Sequence, residues 1–298
     1  MIYDIIVVGG GPAGMTAALY GLRNGKSVLV LEKHGFGGQI TYSPKVENYP
    51  GTMQMSGNEF ADRFLDQIMA QGADIELEKA TGISDEVNGV RTVTTEDGAV
   101  FEGRTVILAT GVKHRMLSLP GEADLVGSGI SFCAVCDGDF YKDQTVVLAG
   151  GGNSALQEAI LLAGKCAKVI VLQDLPHFTG EKKLQDVLFA RENVEAHTGM
   201  KIENEELKGV FAADAAGAET LFPCDGLFEA IGLIPENEAF SGLADLNEYG
   251  YFDSDESCVT RTPGVFVAGD CRGKRVRQVT TAVADGAVAA LAACRYID

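Results

Sequence analysis

Short unbroken apolar runs, each closed by glycine, set the rhythm of this chain. Ile5-Ile6-Val7-Val8 runs straight into Gly9-Gly10-Gly11-Pro12-Ala13-Gly14. A helical stretch follows from Met15 to Asn24, closed by Gly25, and residues 27–32 form a second apolar run. The predicted order is strand, tight turn, helix, strand. Strands without polar alternation suit a parallel sheet covered on both faces. The unit recurs: residues 145–149 lead into Gly150-Gly151-Gly152-Asn153-Ser154-Ala155, then a helix to about Lys165, then the run 168–173. Superposed without gaps, residues 9–32 and 150–173 share seven of 24 positions, the three glycines among them. Two nucleotide-binding-type domains are therefore expected. Residues 75–78 and 91–95 alternate, with Glu96-Asp97-Gly98 as a turn, and are predicted as hairpin strands on an inserted sheet. Residues 264–268 form a last strand ending at Gly269-Asp270, and a small-residue helix runs from about Val279 to Arg295.

Composition narrows the function. At 298 residues the length suits about two domains, and 46% apolar with 22% charged residues describes a folded protein. With 24 basic and 42 acidic residues the formal charge is -18. That balance argues against nucleic acid and against docking on anionic lipid. No apolar run approaches the roughly 18 residues of a membrane span. The start, Met1 to Val8, has no basic segment before its apolar run, so no signal peptide is expected. Seven scattered cysteines are an odd number and too sparse for a secreted disulfide scaffold, which points to a reducing, cytoplasmic setting.

Two motifs carry chemistry. Gly9-x-Gly11-x-x-Gly14 follows a strand and opens a helix. In that context the first glycine permits the turn, the second admits a pyrophosphate, the third packs helix on strand, and the helix N-terminus faces the anion. Glu32, 18 residues beyond Gly14 at a strand end, is placed to accept ribose hydroxyls. Cys133-Ala134-Val135-Cys136 is a C-x-x-C with three readings: half a zinc site, a redox dithiol or two structural thiols. The other cysteines offer no second pair at ligand spacing, so no metal is expected. A helix start beside the thiols would lower one thiol pKa, and Asp137 follows at once as a proton carrier.

With these pieces in order, the chain resembles the low-molecular-weight thioredoxin reductase family of flavoproteins. The resemblance rests on Gly9–Gly14, Gly37-Gly38-Gln39, Glu47-Asn48-Tyr49-Pro50-Gly51, Ala109-Thr110-Gly111, Cys133–Gly138, Gly264–Asp270 and Arg277-Gln278. It implies an α/β fold of two Rossmann-like, three-layer ββα domains, the second inserted in the first. Residues 1–115 and 246–298 would bind FAD, and 116–245 would form the nucleotide-type domain that carries the dithiol. FAD would be held by Gly9, Gly11, Pro12, Ala13 and Gly14 and by Glu32 at the adenosine ribose. Gly38, Gln39, Asn48, Ala109, Thr110, Gly111, Arg277 and Gln278 would lie around it, with Asp270 at the ribityl chain. Cys136 would lie next to the flavin, Cys133 would attack the disulfide of thioredoxin, and Asp137 would move the proton. Members usually form homodimers.

The second domain departs from the family pattern. Members hold the 2′-phosphate of NADPH with histidine and arginine just after the second strand. Here that stretch reads Gln173-Asp174-Leu175-Pro176-His177-Phe178-Thr179-Gly180, with no arginine and a carboxylate at Asp174. Residues 175–248 hold 15 acidic and 5 basic residues, a field opposed to a dianionic phosphate. Lys182 and Lys183 read as a helix-surface pair. The pattern is similar to the family's ferredoxin-dependent branch, which implies ferredoxin as electron donor. Two basic clusters are candidate docking sites for that acidic protein: Arg272, Lys274, Arg275 and Arg277, and Lys113, His114 and Arg115. Tyr296 is expected to pack on its own domain. An NAD(P)H-driven disulfide reductase, and a flavin sensor or carrier of single- or tandem-flavin type, are the alternatives.

Overall fold

Ile5, Ile6 and Val7 are fully buried, and the strand Ile2–Val8 that they define is central to the first sheet. The computed structural model describes residues 1–298 except Pro44, Asp85, Leu207 and Lys208, and leaves the side chains of 204–206 undescribed. Ile2–Val8 pairs in parallel with Val28–Leu31 on one side (Val7 opposite Val30) and with Val100–Leu108 on the other (Val8 opposite Leu108). Val100–Leu108 is long enough to serve two partners along its far edge. Its first half pairs antiparallel with Arg91–Thr95, and its last residues pair in parallel with Val265–Val267. Arg91–Thr95 then pairs antiparallel with Ala80–Ile83.

The hairpin prediction is corrected in one respect. Asp74–Glu76 is a parallel edge strand on Val28–Leu31, not a hairpin partner of Arg91–Thr95. The antiparallel strands also continue the parallel sheet rather than standing apart from it. An edge strand alternates in polarity as a hairpin strand does, so period two could not separate the cases. Helices Pro12–Arg23 and Val279–Ile297 cover one face. They approach closely because the contact is made of small residues: a Cβ on Gly286 would lie 2.2 Å from Ala13 O.

The second sheet is fully parallel, in the order Val194–Thr198, Lys168–Gln173, Thr145–Ala149, Gly226–Glu229, Ile130–Ser131. Val146, Val147, Leu148, Val169 and Val171 are completely buried, which explains their lack of polar alternation. Helices Asn153–Ala163 and Lys182–Phe189 flank this sheet, and an antiparallel trio joins Lys201–Glu206, Gly209–Ala213 and Glu219–Pro223.

The chain divides into two compact units, 1–113 with 234–298, and 114–233. The return crossing at 234 lies ahead of the expected 246, because the intervening residues belong to the first core. Phe240, Leu243 and Ala244 pack with Ile6 and Leu29. Asn237 is fully buried and donates to Gly250 O and Cys271 O, both at 2.9 Å. Among the described residues no helix is long and apolar enough to cross a membrane, and no cluster of side chains could hold a metal ion.

Candidate active site

In the first unit the glycine-rich loop is shaped by close contacts. Gly9 adopts φ 111°, and a Cβ there would lie 2.2 Å from Ala109 O. A Cβ on Gly14 would meet Gly9 O at 1.8 Å. Gly11 differs: the nearest atom to its Cβ position is Gly37 O at 4.0 Å, so the loop is open there. Pro12 starts the helix, where its missing N–H costs nothing. Glu32 Oε2 accepts from Gly10 N at 2.6 Å, and Oε1 accepts from His34 N at 3.0 Å. Each oxygen keeps a second lone pair for a hydroxyl.

Other segments converge on this loop. A Cβ on Gly38 would lie 3.4 Å from Gly11 Cα, and one on Gly269 would lie 2.7 Å from Ala13 Cβ. Gln39 donates to Val112 O, Thr110 Oγ1 donates to Asn237 Oδ1 at 2.7 Å, and Asn48 donates to Gln278 Oε1 at 3.3 Å. Gln278 also caps helix Val279–Ile297. Arg277 donates to the carbonyls of Asp270 and Arg272 and lies 4.2 Å above the Tyr251 ring. Ala109 and Gly111 flank Thr110 at the end of Val100–Leu108. Asp270 Oδ1 is shut from solvent with no hydrogen-bond partner among the described residues. Burial raises the Asp270 pKa against the pull of Lys274 and Arg277.

In the second unit Cys133 and Cys136 form a disulfide, with Cα atoms 5.3 Å apart. Cys133 is the N-cap of the short helix Ala134–Asp137, and its sulfur accepts from Cys136 N at 3.2 Å. That donor is aimed at the atom that would carry the thiolate charge. Ser131, which sequence reasoning missed, organises the other side. Its hydroxyl donates to Asp137 Oδ2 at 2.6 Å and accepts from Cys133 N at 3.1 Å. Burial raises the Asp137 pKa and the Ser131 bond opposes it. Its Oδ1 is buried with no partner among the described residues, which leaves one atom to take a proton. Burial pushes the Cys166 and Cys258 thiols up to about 11 and about 12, so these are inert.

Residues 3–286 match the family model described as pyridine nucleotide-disulphide oxidoreductase. The chain is 38% identical over its whole length to the thioredoxin reductase of Listeria innocua, covering 94% of that protein. It is 38% identical to a 34.2 kDa protein in the rubredoxin operon of Clostridium pasteurianum, over 99% of this chain and 97% of that one. The crystal structure of thioredoxin reductase from Streptococcus pyogenes superposes with a TM-score of 0.93 at 36% identity, over 99% of this chain and 98% of that one. The chain belongs to the low-molecular-weight thioredoxin reductase family. It is an FAD-dependent disulfide oxidoreductase. The first unit fits that cofactor: the open cradle at Gly11 suits a pyrophosphate, and the buried acceptor Asp270 Oδ1, 3.6 Å from Lys274 and without a hydrogen bond among the described residues, suits a hydroxyl donor.

The second glycine loop shares features of the first. Gly150 has φ 130°, and the Cβ position of Gly152 is open, with Thr179 Oγ1 nearest at 3.8 Å. The side chains around it are not those around the first loop. Gln173 is 5% exposed and turns its amide nitrogen toward His177 O at 3.5 Å, whereas Glu32 offers acceptors to its loop. Asp174 is exposed, and Lys182 is paired with Asp186 at 2.8 Å on the helix surface. Glu229, 2% exposed and opposite Ala149 beside the loop, is a further carboxyl that sequence reasoning missed. Its signal was an acid closing an otherwise apolar strand.

The structure withdraws part of each expected docking cluster, leaving Arg275 and Arg115 exposed. Arg272 is 2% exposed and holds Asp285 through two bonds of 2.8 and 2.9 Å. Lys274 binds Asp285 at 3.0 Å and lies 3.6 Å from Asp270. Two of the four cations are therefore spent inside the first unit, and Arg277 is held by carbonyls. Lys113 pairs with Glu236 at 2.7 Å. Four charges in six residues read as a surface patch only while their partners, distant in sequence, are unseen. Tyr296 packs as expected, with its hydroxyl on Glu86 at 3.2 Å and its ring near Phe266.

His114 is not a surface cation either. Its ring stacks on Phe132 at 4.4 Å, and burial lowers its pKa to about 4. The folded value lies below the unfolded one near 6.5, so the unfolded chain binds more protons in between. Stability therefore falls as pH drops from about 6.5 toward 4, by on the order of 3 kcal/mol in full. His114→Phe keeps the stack and is expected to remove this acid sensitivity. Urea midpoints at pH 7 and pH 5 check it, and an equal drop in the variant would assign the effect to other groups.

Proposed function

We propose that this protein reduces thioredoxin through FAD and the Cys133–Cys136 dithiol, with a ferredoxin-type one-electron donor in place of NADPH. The observation that carries the donor assignment is the second glycine loop, where Gln173, Asp174 and Thr179 stand and no arginine lies between 173 and 190. A 2′-phosphate normally takes charge-assisted forks from arginine, and a carboxylate there opposes it. Thioredoxin as acceptor is supported by relatives such as that of Listeria innocua, which carry it in their name.

Bound FAD would supply a store for two electrons that can be filled one at a time. Gly9, Gly11, Gly14, Glu32 and Asp270 would hold it, with Gly38, Gln39, Asn48, Ala109–Gly111, Arg277 and Gln278 around it. The reduced Cys133 thiolate attacks one sulfur of the partner's disulfide and forms a mixed disulfide. The Cys136 thiolate then attacks Cys133 Sγ, which frees the partner's dithiol and restores the disulfide. Asp137 moves the proton, with Ser131 fixing its second oxygen. We assign the protein to the cytoplasm as a homodimer, in line with the reducing setting expected from its cysteines.

The retained Gly150 and Gly152 favour the second reading, an NAD(P)H-driven enzyme, and one experiment separates the two. Under anaerobic conditions, NADPH and NADH are each expected to bleach the flavin at least about a hundredfold more slowly than reduced ferredoxin, with oxidised thioredoxin present as acceptor. Rapid bleaching by NADPH would overturn the donor assignment.

A further inference from the structure

The backbone amides that open the redox turn are satisfied from two sides. Cys133 N–H is held by Ser131, which belongs to the Asp137 side. Ala134 N–H donates to Glu158 Oε2 at 3.3 Å. Glu158 lies on helix Asn153–Ala163, which packs against the redox turn. It is half-buried, bonded to the amide that directly follows Cys133, and has no other hydrogen bond among the described residues. Burial raises its pKa to about 7, against the pull of the Ala134 amide. A carboxyl with these properties changes charge readily at neutral pH.

We propose that Glu158 is a positioning residue for the dithiol: its carboxylate holds the Ala134 amide while the disulfide is intact, and it takes up a proton when reduction places a thiolate on Cys133. The proposal rests on the reading of Cys133 and Cys136 as the redox pair. Two electrons, supplied by the enzyme's cofactor or by a small dithiol, break the S–S bond. One proton makes a thiol of Cys136, Cys133 remains a thiolate, and a second proton goes to Glu158. The cause is electrostatic, since a thiolate and a carboxylate beside one peptide group disfavour each other's charge.

The other charges on packed elements do not substitute for it. Asp137 shares the redox turn but is bonded to Ser131 on the opposite side. Tyr141 stays neutral because burial raises its pKa. Lys165 is paired with Asp139, Lys168 with Glu195 and Lys182 with Asp186, while Lys183 is exposed on its helix.

Redox-difference infrared spectroscopy on the holoenzyme, reduced with dithiothreitol, tests this. A carboxylic-acid carbonyl band is expected to appear on reduction, to persist in Asp137→Asn and to vanish in Glu158→Gln. In parallel, Glu158→Gln keeps an acceptor for Ala134 but removes the charge. Reduced Cys133 in that variant is expected to react with iodoacetamide within about twofold of wild type at pH 6, because Glu158 beside the thiolate is already protonated and carries no charge. No band, a band lost in Asp137→Asn instead, or alkylation of Glu158→Gln more than about fivefold faster than wild type at pH 6 overturns the proposal. Failure of the wild-type dithiol to reduce thioredoxin would sink the redox-pair reading instead, so the two failures are distinct.

Discussion

Cys133→Ser is expected to cut thioredoxin reduction by at least about a thousandfold while FAD stays bound. Serine preserves the local fold because its hydroxyl can accept the Cys136 N–H that the sulfur accepts at 3.2 Å. The Ala134–Glu158 and Asp137–Ser131 bonds involve no atom of the replaced side chain. What is lost is chemical, since a hydroxyl cannot form the mixed disulfide. FAD retention is expected because the residues assigned to the cofactor all lie in the unit formed by 1–113 and 234–298, whereas Cys133 lies in 114–233. Flavin absorbance after gel filtration, read beside a thioredoxin-coupled disulfide assay, checks both halves. Loss of flavin would show that the dithiol is misplaced, and activity within tenfold of wild type would show that Cys133 is not the attacking thiol.

Asp285→Ala is expected to have the largest effect on stability. Asp285 is 5% exposed and accepts from Arg272 twice, from Lys274 at 3.0 Å and from Gly269 N at 3.0 Å. Burial alone would raise its pKa, but Arg272 and Lys274 together hold it below the usual carboxylate value. Its removal leaves Arg272 buried with only Glu256 as ion-pair partner among the described residues, and breaking such a pair from one side costs about 3–5 kcal/mol. The same change frees the backbone of Gly269, next to Asp270, so flavin release is expected to accompany unfolding. Thermal release of flavin fluorescence is expected to shift down by roughly 10 °C. Asp285→Asn, which retains an acceptor, is expected to lose less. A midpoint within about 2 °C of wild type for Asp285→Ala would show that the network contributes little.

The fold and the candidate site were legible to different depths. The glycine loops could be read because tight turns and close approaches leave a residue signature: Gly9 at φ 111° and Gly14 packed on Gly9 O tolerate no side chain. The doubled strand–turn–helix unit was visible for the same reason, as was the dithiol, whose spacing places both sulfurs on one helical turn. The corrections share the opposite property. Whether Asp74–Glu76 is an edge strand or a hairpin arm depends on its neighbour Val28–Leu31, not on its own alternation. Whether Arg272 is a docking cation or a buried strut depends on Asp285, 13 residues away.

By itself the sequence determined what each segment can do alone: two glycine loops that can approach a phosphate, a C-x-x-C followed by an acid, and a net charge of -18 that disfavours nucleic acid. Only the tertiary structure decided which charges remain available and which thiols are shielded. It removed Arg272 and Lys274 from the surface and neutralised His114 on Phe132. It also brought Glu158 to the first amide of the redox turn, 24 residues from its own position in the chain. The reason is physical. Turn geometry and helix propensity act over a few residues, whereas the free energy of a charge is set by burial and by partners that only long-range packing supplies.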